Sequence, residues 1–124
     1  MAKHKGVMIC AELVNKEISA ITTELLGIGR KLADDLGEEL SALLMGSELT
    51  PLSQEHIVYG ADKVYLVDNP LLKSFNSDAY TGAAANVCRQ VNPSIVLLGQ
   101  TDMGRELAPR LTARLGGGLA MDCI

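Results

Sequence analysis

A short segment near the end of the chain has the residue types that bind anions. Residues 99–105 are Gly-Gln-Thr-Asp-Met-Gly-Arg, which places two glycines, a hydroxyl and a cation at the predicted start of a helix. Backbone N–H groups at a helix N-terminus favour phosphate-like anions. Glu12, at the end of the first apolar run, lies beside this segment if the two preceding strands are neighbours. The candidate binding residues are therefore Glu12, Gly99, Thr101, Gly104 and Arg105.

The same segment also fits a purely structural interpretation. In this interpretation Thr101 or Asp102 caps the helix, and Arg105 pairs with a carboxylate. The chain contains neither the phosphate-loop pattern GxxxxGKS/T nor the dinucleotide pattern GxGxxG. No Ser–His–Asp arrangement and no spaced acid/base pair stands out, so we expect no catalytic residue. From the residues alone, both interpretations of the segment stay open.

The cysteines and histidines do not predict a disulfide framework or a metal site. Cys10, Cys88 and Cys123 are an odd number and lie far apart in the sequence, and His4 and His56 are equally isolated. Zinc sites need closely spaced ligand pairs, which are missing here. We expect three buried thiols that behave as small hydrophobic side chains in a reducing, cytoplasmic environment.

Charge and composition exclude several classes of protein. Eleven Lys+Arg against fifteen Asp+Glu give a net charge of −4, and aromatic residues make up only 3% of the chain. A nucleic-acid partner is therefore not expected, because such binding needs clustered cations and usually stacking aromatics. No apolar run approaches the ~18 residues that span a bilayer, and the N-terminus lacks the apolar core of a secretory signal.

The elements that would position the candidate residues follow from an alternation of apolar runs and amphipathic segments. Five short apolar runs predict buried parallel strands. They cover residues 6–12, 40–45, 63–67, 94–98 and 119–124. Four helical segments separate these runs, and one of them, with Thr50 as its cap, is expected over residues 51–59.

The other three helices are predicted by stripes of apolar residues and by stop signals. Ser19 is a candidate cap for the first helix, Gly37 its stop, and Asn92-Pro93 the stop of the third helix. Pro109 must lie in the first turns of the last helix or kink it. The three stripes are Ile21, Leu25, Ile28, Leu32 and Leu36; Ala79, Ala83, Val87 and Val91, with Ala84 and Cys88 beside them; and Leu107, Leu111 and Leu115.

This pattern predicts a single α/β domain over residues 1–124, with a doubly wound parallel sheet of about five strands and helices on both faces. In the order 3-2-1-4-5, the first and fourth strands flank the crevice where ligands bind, at the carboxyl ends of the strands. Because the chain stops in or at the end of a strand, we expect it to be a piece of a longer protein.

One motif resembles a known family. The stretch from Thr101 to Gly116 strongly resembles the loop and helix after the fourth strand in the alpha subunit of electron-transfer flavoproteins. The matching positions are Thr101, Gly104, Arg105, Glu106, Ala108, Pro109 and Arg110. Residues 60–67, Gly-Ala-Asp-Lys-Val-Tyr-Leu-Val, are similar to that family's segment before the third strand. Residues 9–12 and 30–33, with Leu25, are similar to its opening strand and helix.

The resemblance implies an adenine-nucleotide-hydrolase-like domain that forms the N-terminal part of an alpha subunit. The family binds FAD in a C-terminal domain that is absent from this chain, so no cofactor is expected here. The partner would be a beta subunit that holds AMP or a second flavin. The intact heterodimer would carry electrons from flavin dehydrogenases, such as acyl-CoA dehydrogenases of fatty acid oxidation, to a quinone reductase or another acceptor. The matched residues at positions 101, 104 and 105 would have a structural or interfacial role.

Two other functions share the same topology. One is a free-standing nucleotide-binding module of the universal-stress-protein type, although the glycine-rich phosphate signature after the fourth strand is not found. The other is a small hydrolase or ligase, for which a nucleophile and a phosphate loop are missing. ATP binding would favour the module, whereas rescue by a beta subunit would favour the flavoprotein.

Overall fold

The structure is a computed structural model. It describes residues 6–11, 13–14, 17–18, 20–47, 60–72, 76–99, 101–115 and 120–123. The strands are β1 (Val7–Cys10), β2 (Leu13–Val14), β3 (Glu17–Ile18), β4 (Leu40–Gly46), β5 (Lys63–Asp68), β6 (Ile95–Leu98) and β7 (Ala120–Cys123). The helices are α1 (Ala20–Leu36), α2 (Ser77–Val91) and α3 (Asp102–Arg114), and a 3-10 turn spans Pro70–Leu72. The helix predicted over residues 51–59 lies outside the described residues.

Five of the strands form one parallel sheet in the order β5-β4-β1-β6-β7. Counted along the chain, these strands have the predicted order 3-2-1-4-5. The central strand is β1, in which Val7 is level with Leu40 of β4 on one side and with Ile95 of β6 on the other. Helix α1 packs on one face of the sheet, and α2 and α3 pack on the other. The predicted doubly wound α/β fold is therefore confirmed.

The central strand contributes to two separate cores. Met8 and Cys10 pack with α2 and α3, whereas Val7 and Ile9 pack with α1. All four side chains are buried. Because successive side chains of a strand point to opposite faces, a strand covered on both faces must be apolar throughout. This requirement explains the unbroken apolar run in the sequence.

A small antiparallel pair follows β1 and was not predicted. Strands β2 and β3 pair with Leu13 opposite Ile18. The sequence suggested one strand ending at Glu12 and then a helix capped by Ser19. Each of the new strands is only two residues long, which is too short to show a periodic pattern. Glu12 and Ser19 lie outside the described residues.

Helix α1 buries a different face from the predicted one. Its buried residues are Thr22, Leu25, Leu26, Gly29 and Ala33, so only Leu25 of the predicted stripe is fully buried. At 100° per residue, the buried face is rotated by roughly 70° from that stripe. The cause is Gly29, where an added Cβ would lie 2.7 Å from Cδ1 of Leu40 and 3.1 Å from Cγ2 of Ile9. Without a side chain at this position, the helix lies directly on the sheet.

The rotation leaves part of the apolar stripe of α1 uncovered. Ile28 is 36% exposed and Leu36 is 49% exposed, and Leu32 is half-buried. Leu26 and Arg30 lie on the other side of the helix, because both contact Gly60 before β5. The uncovered side chains therefore lie on the side of α1 that faces away from β5.

The predicted helix stops are confirmed. Gly37 follows α1 with φ +67°, and the N–H groups of Gly37 and Glu38 bond to the carbonyls of Asp34 (3.2 Å) and Ala33 (2.9 Å). This is a Schellman motif, which needs a left-handed residue at the first position after the helix. Asn92 ends α2 in the same left-handed region, with φ 58°.

Helices α2 and α3, on the second face of the sheet, bury much of the apolar stripes that the sequence predicts. In α2, Ala84 and Cys88 are buried, while Ala79, Ala83, Val87 and Val91 are half-buried against the same core. In α3, Leu107 and Leu111 are fully buried and Leu115 is half-buried. Pro109 is the eighth residue of α3 and is exposed. It deprives the carbonyl of Arg105 of an N–H partner, which is tolerated on a helix face open to water.

The buried thiols lead to a reactivity prediction. Cys10 and Cys88 form no disulfide and are buried, and burial raises the pKa of the Cys88 thiol to about 11. Thiolates are the reactive form, so both thiols are expected to resist a disulfide reagent in a Cys123→Ser background at pH 7. They should react once urea unfolds the chain. Rapid labelling while the circular dichroism spectrum is still native would contradict the buried positions.

Candidate functional site

The crevice predicted at the change of strand order lies between the carboxyl ends of β1 and β6. Ile9 of β1 is level with Leu97 of β6, so Ala11 and Gly99 follow the two strands at the same edge of the sheet. Ala11 is buried and donates its N–H to the carbonyl of Leu43 at 2.9 Å. The fold thus brings the end of β1 to the segment after β6. Glu12, the candidate from β1, lies outside the described residues.

Thr101 caps helix α3. Its backbone is extended, with φ −107°, and its Oγ1 accepts the N–H of Gly104 at 3.1 Å. Its carbonyl accepts the N–H of Arg105 at 2.8 Å. An N-terminal threonine with this geometry satisfies one of the free amide groups of the helix. The amide of Gly104 is therefore already engaged within the turn.

Gly104 packs against the backbone of Gly99. A Cβ added to Gly104 would overlap the carbonyl oxygen of Gly99 and lie 3.1 Å from its carbonyl carbon. Both glycines are buried. The first turn of α3 therefore lies directly on the end of β6, in a position that no larger residue could share. The pair closes the strand-to-helix connection.

Arg105 differs from the other candidates because it is exposed. Within the part of the chain that the structure describes, no carboxylate forms an ion pair with it. The structure thus gathers Gly99, Thr101 and Gly104 into one tight turn and leaves the Arg105 side chain at the surface. The chemistry of the turn is that of a helix cap, and the exposed guanidinium of Arg105 lies beside it.

The opposite, amino edge of the sheet holds an ionic cluster that the sequence analysis missed. Arg30 of α1 donates to Asp34 at 2.9 Å and to Asp62 at 3.1 Å, and also to the carbonyl of Gly60 at 3.2 Å. Asp62 in turn accepts the N–H of Leu40 at 2.9 Å. One guanidinium and one carboxylate therefore join the starts of β4 and β5 to the middle of α1.

Asp62 leads to a pH prediction. The N–H of Leu40, and then the guanidinium of Arg30, lower the pKa of Asp62 from 3.8. A carboxyl with a lowered pKa in the folded state stabilises the fold above its ordinary pKa, and this contribution is lost as the pH falls through the folded-state value. The free energy of unfolding should therefore differ most between the wild type and Asp62→Asn above about pH 5, and the difference should shrink below about pH 4.

Urea titrations at several pH values test this expectation. The matched control is Asp35→Asn, because Asp35 is also exposed and has no ion pair among the described residues. Its effect on the free energy of unfolding should be small. A difference for Asp62→Asn that is the same at pH 3 and pH 7 would contradict the role of the Asp62 carboxylate.

A cavity of about 890 Å³ lies at the same amino edge. Its lining includes Glu38, Glu39, Lys63 and Tyr65. Glu38 accepts the N–H of Gly6 at 2.7 Å, and Glu39 pairs with Lys63 at 3.2 Å. The side chains of Glu38 and Glu39 thus connect residues at the starts of neighbouring strands. Across the described residues, no group of three or more His, Cys, Asp or Glu side chains could hold a metal ion.

Comparison with known proteins decides the family. The family model described as "Electron transfer flavoprotein domain" matches residues 7–124. The chain belongs to the electron transfer flavoprotein family. The resemblance stated from the sequence motifs is therefore confirmed, and the tight turn and the ionic cluster are parts of an electron transfer flavoprotein domain.

Several relatives within the family are named as alpha subunits. The chain is 39% identical over 123 residues to the electron transfer flavoprotein subunit alpha of Megasphaera elsdenii, covering 99% of this chain and 36% of that protein. The corresponding subunit of Thermoanaerobacterium thermosaccharolyticum is 41% identical, with 99% and 37% covered. The subunit LctC of lactate dehydrogenase (NAD(+),ferredoxin) from Acetobacterium woodii is 38% identical over 120 residues, with 97% and 29% covered.

The electron transfer flavoprotein domain described here is one part of what these relatives contain. The chain spans about a third of the length of the curated relatives it matches. Among the described helices, none is long and apolar enough to cross a membrane.

Proposed function

We propose that this chain is the N-terminal domain of an electron-transfer flavoprotein alpha subunit and serves as scaffold and subunit interface. The partner is a beta subunit, and the intact heterodimer holds FAD outside these residues. It carries electrons from a flavin dehydrogenase, with acyl-CoA dehydrogenases as the leading class, to a quinone reductase or another acceptor. The reduced, buried thiols of Cys10 and Cys88 fit a cytoplasmic location.

The observation that carries this proposal is the closed turn between β6 and α3. In a nucleotide-binding module, amide groups at this position would face the phosphates of the ligand. Here the amide of Gly104 bonds to Thr101 at 3.1 Å, and Gly104 lies against the backbone of Gly99. A turn that bonds the amides of Gly104 and Arg105 to Thr101 supports a scaffold role better than a phosphate-binding role.

The uncovered stripe on α1 supports an interface role. Ile28, Leu32 and Leu36 lie on the side of the helix away from β5, and the first and last of them are exposed. Permanent subunit interfaces have an apolar centre. An apolar edge on a helix that is otherwise seated on its sheet is the kind of surface a second subunit would cover. We place the beta subunit against this edge.

Binding measurements on the chain distinguish this function from the universal-stress-type module. The chain is titrated with a beta-type subunit, and separately with ATP and AMP. We expect a 1:1 complex with the subunit and no binding of either nucleotide at concentrations up to about 1 mM, which corresponds to a negligible affinity. Micromolar binding of ATP without any subunit complex would contradict the proposal.

A further inference from the structure

Helices α2 and α3 hold most of the arginines of a protein with a negative net charge. Four of the five arginines of the chain lie on α2 and α3. We call Arg89, Arg110 and Arg114 the arginine surface; all three are exposed. The chain as a whole has a net charge of −4. The six lysines lie outside these two helices, so the arginines, and not the positive charge as a whole, are concentrated here.

Contacts across the two helices bring these arginines together. Arg89 of α2 donates to the backbone carbonyl of Arg114 at 3.1 Å. A Cβ added to Gly82 of α2 would lie 3.9 Å from the guanidinium of Arg114. Arg110 lies 3.8 Å from Asp78, whose side chain is 91% exposed. Arg110 and Arg114 of α3 thus lie along the seam with α2 and form one surface with Arg89.

Little on this face neutralises the arginines. Among the described side chains of α2 and α3, the carboxylates are those of Asp78 and Glu106, and only Asp78 forms an ion pair, at the long distance of 3.8 Å. Arg89 and Arg114 have no ion pair among the described residues. Exposed like charges repel each other, so such a cluster lowers stability unless an anionic partner approaches.

The chemistry of the surface favours a transient protein partner. The exposed large hydrophobic residues of the described chain, Ile28, Leu36, Leu66 and Leu71, all lie elsewhere. A polar, charged surface without an apolar centre is typical of weak, rapidly exchanging contacts, and its charges mainly raise the association rate. Nucleic acid fits less well, because the only aromatic side chain on α2 and α3, that of Tyr80, is buried.

We infer that the arginine surface is a docking site for the acidic face of a protein partner that binds transiently. This inference rests on the proposed function to the extent that an electron carrier must exchange partners. The docking site is separate from the apolar edge of α1, where the beta subunit is placed. The two surfaces lie on opposite sides of the sheet.

Binding of a labelled acidic polypeptide, poly-L-glutamate, tests the docking site. We expect measurable binding at low ionic strength that falls steeply as the salt concentration rises to about 0.2 M. The double variant Arg110→Glu/Arg114→Glu should bind about tenfold more weakly, as expected for two exposed ionic contacts. Two single variants form a matched comparison: Arg114→Glu changes the arginine surface, and Lys31→Glu is the control on α1. Each replaces an exposed helical cation that has no ion pair among the described residues.

Three outcomes would overturn the inference. They are equal effects of Arg114→Glu and Lys31→Glu, no binding of poly-L-glutamate, and preferential binding of duplex DNA or phosphatidylglycerol vesicles through the same arginines. Complex formation between the variants and a beta-type subunit is measured separately. If that complex forms normally but the acidic polypeptide does not bind, the docking inference fails and the proposed function stands. If the acidic polypeptide binds but no complex forms with the beta-type subunit, the proposed function fails and the docking inference stands.

Discussion

Replacing Gly104 with alanine is expected to lower the free energy of unfolding by about 2–3 kcal/mol. The new methyl group would overlap the carbonyl oxygen of Gly99 and lie 3.1 Å from its carbonyl carbon. Because the obstacle is backbone and not the end of a flexible side chain, α3 must move away from β6. That movement would also strain the Thr101 cap and the packing of Leu107, which is fully buried.

The matched control is Gly27→Ala in α1. Gly27 is also inside a helix, but an added Cβ would meet nothing within 4 Å. Alanine is the better helix former by about 1 kcal/mol, so this variant should be as stable as the wild type or more stable. Urea unfolding of both variants makes the comparison. If the two substitutions changed stability equally, the close approach of Gly104 to Gly99 could not be the cause.

The double substitution Ile28→Asp/Leu36→Asp is expected to weaken binding of a beta-type subunit by about a hundredfold or more. Both side chains belong to the uncovered apolar edge of α1 and are 36% and 49% exposed. Two buried apolar contacts at an interface, each worth about 1.5–2 kcal/mol, account for an effect of this size. Introduced carboxylates would also have to lose water on binding. Titration of the purified partners measures the dissociation constant.

The control is Leu71→Asp, which places the same charge on a leucine that is 74% exposed in the 3-10 turn after β5. It should change the dissociation constant by less than about threefold, a small effect on the energy scale of binding. Thermal unfolding of each variant shows whether the fold is intact. An unchanged affinity in a folded Ile28→Asp/Leu36→Asp variant would place the subunit interface elsewhere.

The sheet was predictable because its signals are local and strong. Each buried strand is an unbroken apolar run, and the stops at Gly37 and Asn92 are residues that adopt the left-handed conformation at low cost. Strand order then follows from the few topologies that right-handed crossovers allow. The pair of β2 and β3 was missed since two-residue strands show no period.

The buried face of α1 could not be predicted from hydrophobicity alone. The stripe of large apolar residues gives the side of the helix with the most apolar surface. The side that packs is the one with Gly29 and Ala33, because small residues let the helix approach the sheet. The part of the apolar stripe that does not pack on the sheet is the apolar edge that we assign to the beta subunit. The sequence feature that indicates this arrangement is Gly29, a glycine inside an apolar helix.

The candidate site was predicted only in part. Thr101 and Gly104 belong to one turn, so their proximity follows from the sequence, and the structure adds that the turn is closed by Gly99. The cluster of Arg30 and Asp62 joins residues 32 positions apart. Two stretches that resembled the family contain these residues, yet nothing local indicates that they meet. Such pairings depend on the packing of three elements.

The most direct test of the central claim is the mass and absorbance spectrum of the product of the gene that encodes this chain, co-expressed with a beta-type subunit. If these residues are the N-terminal scaffold of an electron-transfer flavoprotein, an alpha chain about three times as long as this one should co-purify with its partner as a yellow, flavin-containing complex, in keeping with the one-third share of the relatives that this chain spans. A colourless product of 13.2 kDa that binds no partner would contradict the claim.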